Sequence, residues 1–341
     1  MEQTKTGKLS AIKRLPFDQY SRQSRAAQLV DLLRKKGESF NVLDVGGYKG
    51  VTKDFHPHDK VTILDVFDVT EKGYVKGDAT NMSFADGSYD FVVSFDVFEH
   101  IPREKRKAFM SECARVARRG VIVAAPVGTK ENAQAELDIN DLNKSIYGTD
   151  HRWLKEHIDY ELPEMDAAEK LMQSNNLHTI KFSSNYLPAW VLMQATIIGA
   201  SKYTVLGEGI PELYEAYNDL LPADGVSDIE QNYRLILLGL KDKKDFVTAK
   251  KNISNVFMDK AKFFKNYTAL ATKVSCNLVM AVDKLESQIN NERQARLDTE
   301  KLAVAQQAEL SRLREKYDSS LVIRGYARLR QLFIRRVRSS K

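Results

Sequence analysis

Asp96, Glu99 and His100 place two carboxylates and an imidazole within five residues. They continue from Asp90-Phe91-Val92-Val93-Ser94-Phe95, an apolar run that reads as a buried strand. In a doubly wound sheet the C-terminal end of such a strand opens into the ligand crevice. Two roles follow from the residue types. The carboxylates can cap the helical turn that starts near Pro102 and Arg103, with His100 a satisfied hydrogen-bonding residue. Alternatively, His100 is a general base, because an imidazole can take a hydroxyl proton near neutral pH.

The second group of chemically suggestive residues is Val42-Leu43-Asp44-Val45-Gly46-Gly47-Tyr48-Lys49-Gly50. A buried strand here runs into a glycine-rich turn, which lets backbone approach a ligand closely. Val61 to Asp65 reads as a second strand ending in an acid. Asp65 stands 19 residues after Gly46, the distance at which a carboxylate meets a ribose diol. Asp78, after a third short apolar stretch, can accept from an adenine amino group. The dinucleotide fingerprint fails, because Tyr48 and Val51 stand where it needs its second and third glycines.

Taken in order, the Asp44–Gly50 loop, Asp65, Asp78-Ala79 and Asp96 to Ile101 resemble the class I S-adenosylmethionine-dependent methyltransferases. Ser111 to Val116 and Arg119 to Pro126 look like that family's next helix, turn and fifth strand. The resemblance spans about residues 20–242. It implies an α/β fold: a doubly wound, seven-stranded, mostly parallel sheet, Rossmann-like, whose last two strands form an antiparallel hairpin. It implies S-adenosyl-L-methionine as cofactor, bound by Asp44, Gly46, Gly47 and Gly50, with Asp65 on the ribose, Asp78 and Ala79 at the adenine, and Phe95 beside them. Tyr48 replaces a glycine usual in the family and crowds the methionine end. Some quinone and small-RNA methyltransferases similar to this chain hold a metal with an acid-x-x-Glu-His pattern. That adds a third role, ranked behind the other two, for Asp96, Glu99 and His100 as ligands of Mg²⁺, Mn²⁺ or Zn²⁺. His151 is a second candidate base, and Tyr147, Arg152 and Trp153 are candidate acceptor contacts: Trp for stacking, Arg for an anion.

These residues need elements to carry them. Tyr20 to Lys36 has helical apolar spacing and flanks the crevice. Pro126 to Tyr147 reads as a polar connection, and the His56-Pro57-His58 segment as an exposed loop. Met165 to Asn175 reads as a helix, Leu177 to Phe182 as a strand and Gln231 to Leu240 as the closing strand. Residues 183–230 then form a helical insertion between the last two strands, longer than an ordinary connection.

The remaining segments are a lead-in (1–19), a helical extension (243–320) with heptad-like Leu278, Val282, Leu285 and Ile289, and a tail (321–341). The tail carries six Arg and one Lys and no acid, so the chain's +6 leaves −1 for residues 1–320. A near-neutral body argues against a nucleic-acid substrate. The tail's mixture of basic and apolar residues suits an anionic membrane surface or a partner protein, and 278–320 suits homo-oligomerisation. Two distant cysteines and no apolar run of ~20 residues point to a cytoplasmic protein, peripheral on the inner face of a membrane. The expected activity is O-methylation of a sugar or envelope polysaccharide, a quinone or other small molecule being the alternative acceptor. A noncatalytic scaffold on the same fold is the rival from another class.

Overall fold

The computed structural model describes residues 11–47, 50–202, 207, 209–221, 231–318 and 321–338. Helix α1 (Phe17–Asp31) leads into strand β1 (Asn41–Val45). A short helix α2 (Thr52–Phe55), then β2 (Lys60–Asp65), β3 (Tyr74–Lys76) and β4 (Tyr89–Phe95) follow. Two 3₁₀ turns, Phe98–His100 and Arg103–Lys105, precede α3 (Arg106–Val116) and β5 (Ala117–Pro126). Next come α4 (Lys130–Tyr147), α5 (Arg152–Tyr160), α6 (Met165–Gln173) and β6 (His178–Tyr186). Between β6 and β7 (Asn232–Leu240) lie α7 (Leu187–Lys202) and α8 (Ile210–Leu220). After β7 run α9 (Lys243–Asn252), α10 (Lys260–Asp318) and α11 (Leu321–Arg338).

The strands form one sheet in the order β3-β2-β1-β4-β5-β7-β6. β1 pairs in parallel with both β2 and β4, and β7 runs antiparallel to β5 and β6. This is the expected seven-stranded, mostly parallel sheet with its terminal hairpin. The strands are apolar on both faces because each face is covered. On β5, Val121, Val123 and Ala125 face one core with Phe109, Met110 and Met172. Ile122 and Ala124 face the other, with Leu29, Val30 and Ala249. The two-residue period of a strand sorts these side chains between the layers.

A third apolar cluster gathers Trp190 and Met193 of α7, Tyr217 of α8, Tyr233 of β7 and Phe263, Leu270 and Val274 of α10. Trp190 stacks on Tyr233 with ring centroids 4.1 Å apart. The segment between the last two strands therefore has an apolar core of its own against the sheet edge. The chain forms two compact units, Met1–Leu278 and Val279–Lys341. No described helix is long and apolar enough to cross a membrane.

Two sequence expectations change. Residues 130–147 are a helix rather than a polar connection. Thr129 accepts from the Asn132 amide at its start, and Gly148 closes it at φ 76°. Its buried side is mostly polar: Asn132, Glu136, Asn140 and Asn143, at helical spacing, are all under 10% exposed, with Ala135 and Ile139 beside them. His56 is not in an exposed loop either. It is buried, and its Nδ1 lies 3.1 Å from Asp59, which Arg34 grips with two hydrogen bonds.

Candidate active site

The parallel strands deliver their C-terminal ends to one edge of the sheet, where the first loops sit. Gly46 turns at φ 84°, and a Cβ there would collide with Val97 Cγ2, so the β1 turn abuts the β4 loop as only glycine can. Its amide donates to Leu64 O at 2.7 Å, tying this turn to the end of β2. At Gly47 a Cβ would meet Asp44 Oδ2, and at Gly50 the Gly47 carbonyl. Asp44 itself is buried, accepts from the Thr52 hydroxyl and is raised above its ordinary pKa by that burial. Asp44 is thus an internal brace of the turn. Tyr48 lies outside the described residues.

Asp65 is 8% exposed and accepts from the Phe67 amide at 3.2 Å. Beside it, Val66 and Phe67 leave 62% and 36% of their surface open. A carboxylate next to exposed apolar side chains at a strand end suits a nucleoside, with hydroxyls on one side and a flat ring on the other. Asp78 is exposed, and the Thr80 amide and hydroxyl donate to it, both at 2.8 Å, which lowers its pKa. Ala79 and Phe95 lie in the two cores on either side of the sheet. These residues fit S-adenosylmethionine: Asp65 and Asp78 supply acceptors, Val66 and Phe67 an apolar wall, and Gly46 a close-packed exposed turn.

Beyond β4 the geometry differs. Asp96 takes the left-handed conformation, φ 54°, which a non-glycine residue adopts at some cost. Its carboxylate receives a two-pronged hydrogen bond from Arg234 of β7, at 2.8 and 2.5 Å, and Arg22 of α1 stands 3.5 Å away. Burial works against its charge, but the two guanidinium groups hold its pKa below the ordinary value. Asp96, a candidate ligand from sequence, is therefore committed to an ion-pair cluster.

Glu99 lies three residues on, with neither exposed surface nor a hydrogen bond to either carboxylate oxygen. Burial and the neighbouring Asp96 charge push its pKa up to about 8. His100 shares the same turn. Its Nε2 faces His157 Nε2 across 3.3 Å, and its Nδ1 is 3.0 Å from Glu156, off the line of a good hydrogen bond. Burial and the His157 charge push its pKa down to about 4, so it is neutral at physiological pH. Burial also works against the charged form of His157, yet the Glu136 hydrogen bond and the charges of Glu99 and Asp96 raise its pKa overall. Glu136 Oε1 sits 2.8 Å from His157 Nδ1 and also accepts from Tyr233, 2.6 Å away. Arg106 clamps this loop by donating to the carbonyls of Ile101, Tyr160 and Glu161.

His151 precedes α5, where its amide donates to Asn140 Oδ1 at 2.8 Å. Its Nδ1 is buried without a hydrogen bond, and burial together with the His157 charge lowers its pKa. Trp153 is 43% exposed, packs edge-on to His100 at 5.3 Å and carries Arg152 over its ring at 4.5 Å. Tyr147 sits elsewhere: its hydroxyl donates to Ile198 O and ties α4 to α7. The structure thus brings His100, His151, Arg152 and Trp153 together around a residue that sequence reasoning missed, His157. Glu136, Tyr233 and Arg234 were likewise missed. For Glu136 the local signal is the helical repeat of polar residues on α4, which an apolar-periodicity reading passes over; Tyr233 and Arg234 lie in the apolar strand β7.

Residues 56–125, from the end of α2 through β5, match the sequence model of a family described as "Methyltransferase domain". No protein of curated function matches the chain by sequence. Solved structures similar to it include a candidate methyltransferase from Bacillus halodurans C-125, 18% identical, over 64% of this chain and 98% of that one, at TM-score 0.36. An S-adenosylmethionine-dependent methyltransferase from Archaeoglobus fulgidus is 14% identical over 64% and 92%, TM-score 0.39. The Haemonchus contortus phosphoethanolamine N-methyltransferase 2, in complex with S-adenosyl-L-methionine, is 15% identical over 65% of this chain and 52% of that one, TM-score 0.40. Residues 56–125 thus carry a methyltransferase-domain match, and the sheet order described above is the one expected of the class I methyltransferase fold.

Proposed function

We propose that the chain is an S-adenosylmethionine-dependent methyltransferase that modifies a hydroxyl oxygen of a sugar unit, with the acceptor seated between the His100–His157 pair and Trp153. The observation that carries this reading is the oriented imidazole pair beside the C-terminal end of β4, His157 buried and His100 half-buried, with an exposed tryptophan edge-on to it. An amine needs little activation, whereas a hydroxyl needs a place for its proton. The sulfonium is already a strong electrophile, so alignment supplies much of the acceleration. The acceptor oxygen attacks the methyl carbon in line. As the C–O bond forms, the S–C bond breaks, and the cofactor leaves as a neutral thioether. His151 takes the hydroxyl proton at Nδ1, kept neutral by its burial. Trp153 offers an apolar face for a sugar ring, and Arg152 favours an acceptor with a nearby anionic group.

The acceptor is a cell-envelope saccharide, presented at a membrane surface. On α11, Tyr326, Leu329 and Leu332 are over 60% exposed, with Arg324, Arg328 and Arg330 among them. A basic helix with exposed apolar side chains suits anionic lipid, and residues 278–320 serve self-association. The test uses methyl-labelled cofactor with envelope saccharide fractions and, separately, quinols. An O-methylated sugar identified by mass spectrometry supports the reading, and label on a quinol or on nitrogen overturns it. His151→Ala is expected to lower kcat roughly a hundredfold with little change in cofactor affinity. Sedimentation with anionic vesicles should require residues 321–341.

A further inference from the structure

We propose that Glu99, His100 and His157 form a binding site for a first-row divalent metal ion of the Zn²⁺ type, which holds the acceptor's oxygen. One donor atom from each residue lies within 4.8 Å of the other two. The tightest of these distances fits one ion between two imidazoles. His100 Nε2 and His157 Nε2 face each other at 3.3 Å. Two imidazole nitrogens, each about 2.05 Å from one tetrahedral ion, stand about 3.3 Å apart. Glu99 Oε1 lies 3.9 Å from His157 Nε2, so a small rotation of the carboxylate completes the set.

Orientation of the rings supports the same occupant. Glu136, itself held by Tyr233, sits against His157 Nδ1. A carboxylate there keeps the ring proton on Nδ1 and turns the Nε2 lone pair inward. Glu156, 3.0 Å from His100 Nδ1, biases the second ring in the same sense. Without an ion, the charged His157 donates its Nε2 proton to His100 Nε2; a metal ion takes the place of that proton and binds both nitrogens. Glu99 adds an independent sign. A fully buried carboxylate with no hydrogen bond to either oxygen is costly to keep, unless something cationic completes it. Arg106, the arginine nearest in sequence after Arg103, spends its donors on backbone carbonyls, the Glu99 carbonyl among them.

Two imidazoles and a carboxylate favour Zn²⁺, Co²⁺ or Mn²⁺ over Mg²⁺ and Ca²⁺, which prefer oxygen. Three protein donors leave a coordination position open. An ion held by these donors would lower the pKa of a sugar hydroxyl, and His151 is the residue placed to take its proton. This role rests on the O-methylation reading above; the ion site itself does not. His100 then contributes as a ligand, with His151 the remaining base.

The test strips the full-length protein with chelator and titrates it with Zn²⁺ by calorimetry and with Co²⁺ by visible absorption. One equivalent should bind, with Co²⁺ bands of low coordination number and far weaker response to Mg²⁺. Glu99→Gln, His157→Ala and the milder His157→Gln should each lower Zn²⁺ affinity roughly a hundredfold or more. His58→Ala, an exposed histidine outside the cluster, should leave it unchanged. Binding of S-adenosylhomocysteine to each variant confirms that it is folded. No stoichiometric Zn²⁺ or Co²⁺ binding to wild type, or equal binding to the folded Glu99 and His157 variants, overturns the site. Stoichiometric binding alongside label found on a quinol overturns the sugar reading and leaves the site standing.

Discussion

On the side of β1, β2 and β3, each acid at the crevice finds a partner close by in sequence. Asp44 takes the Thr52 hydroxyl, Asp65 the Phe67 amide and Asp78 the Thr80 amide and hydroxyl. Beyond β4 the partners come from far along the chain. Asp96 meets Arg234, 138 residues away, and His100 meets His157, 57 residues away. Glu136 meets Tyr233 at a separation of 97. On the cofactor side each of these acids has a partner within a few residues, and the Gly46 amide ties the β1 turn to β2. The acceptor side is assembled by the fold, and among the described residues it alone contains a buried carboxylate without a hydrogen bond. One half of the crevice is finished locally, while the other keeps donor atoms unspent.

The largest expected effect tests whether the Asp96 cluster is structural. Arg234 is 2% exposed, and its removal leaves Asp96 at a strained φ beside the uncompensated Glu99. Arg234→Ala should destabilise by on the order of 4 kcal/mol in chemical denaturation. Arg234→Leu combined with Asp96→Asn should recover part of that loss, because the charge goes with its partner. Full stability of Arg234→Ala would place Asp96 among the unspent groups and erase the contrast.

Next in size is the cofactor side. Asp65→Ala should weaken S-adenosylhomocysteine binding roughly thirty- to a hundredfold, about 2–3 kcal/mol, the scale of hydrogen bonds to a charged group. Stability should change far less than affinity. Unchanged affinity by calorimetry would mean that the ribose lies elsewhere.

The two halves should also respond to pH with opposite sign. Asp78, held by the Thr80 amide and hydroxyl, has a pKa below its unfolded value. It stabilises above the unfolded carboxylate pKa, and that contribution is lost as pH falls through its folded value. Glu99, raised to about 8 by burial and Asp96, behaves conversely. Its contribution is present below the unfolded pKa and lost as pH rises toward 8. His100, lowered to about 4, opposes Glu99 only below its unfolded value near 6.5. Between pH 6.5 and 8 the chelated protein should therefore lose about 2 kcal/mol. Glu99→Gln should flatten that slope in thermal or urea unfolding. A wild type that gains stability over this window would show Glu99 ionised and satisfied.

The same division explains what could be read from the residues alone. The strand–glycine–acid units of the first half are contiguous, so their chemistry is written within a few residues. His100 and Glu99 were visible because they share a turn. His157 was not, because nothing local distinguishes a histidine in Arg152–Tyr160 from any other on a helix. α4 hid for a further reason: Asn132, Glu136, Asn140 and Asn143 outnumber Ala135 and Ile139 on its buried side. A polar buried face defeats a search for apolar periodicity, although Thr129 and Gly148 mark both ends of the helix. The insertion between β6 and β7 was legible by length, but its packing on Tyr233, and through Tyr233 its link to Glu136, was not.

That link carries the smallest and most discriminating effect. Tyr233 is stacked on Trp190, buried, and donates to the carboxylate that orients His157. Burial and the Glu136 charge raise its pKa well above the ordinary value, so the hydroxyl keeps its proton throughout the working range. Tyr233→Phe preserves the stack and deletes only that donor. Glu136 then holds His157 with one constraint fewer, and the ring samples orientations in which Nε2 misses its partner. Zn²⁺ affinity should fall about tenfold, the lower end for a group one step removed from a metal ligand. Unfolding should shift by about 1 kcal/mol for one lost hydrogen bond, and S-adenosylhomocysteine binding should not move. If cofactor affinity fell in step with Zn²⁺ affinity, the two halves of the crevice would be coupled through the sheet. The local character assigned to the β1–β3 side would then be wrong, because the hydrogen bonds of Asp65 and Asp78 described above stay within their own turns and none leads to Tyr233.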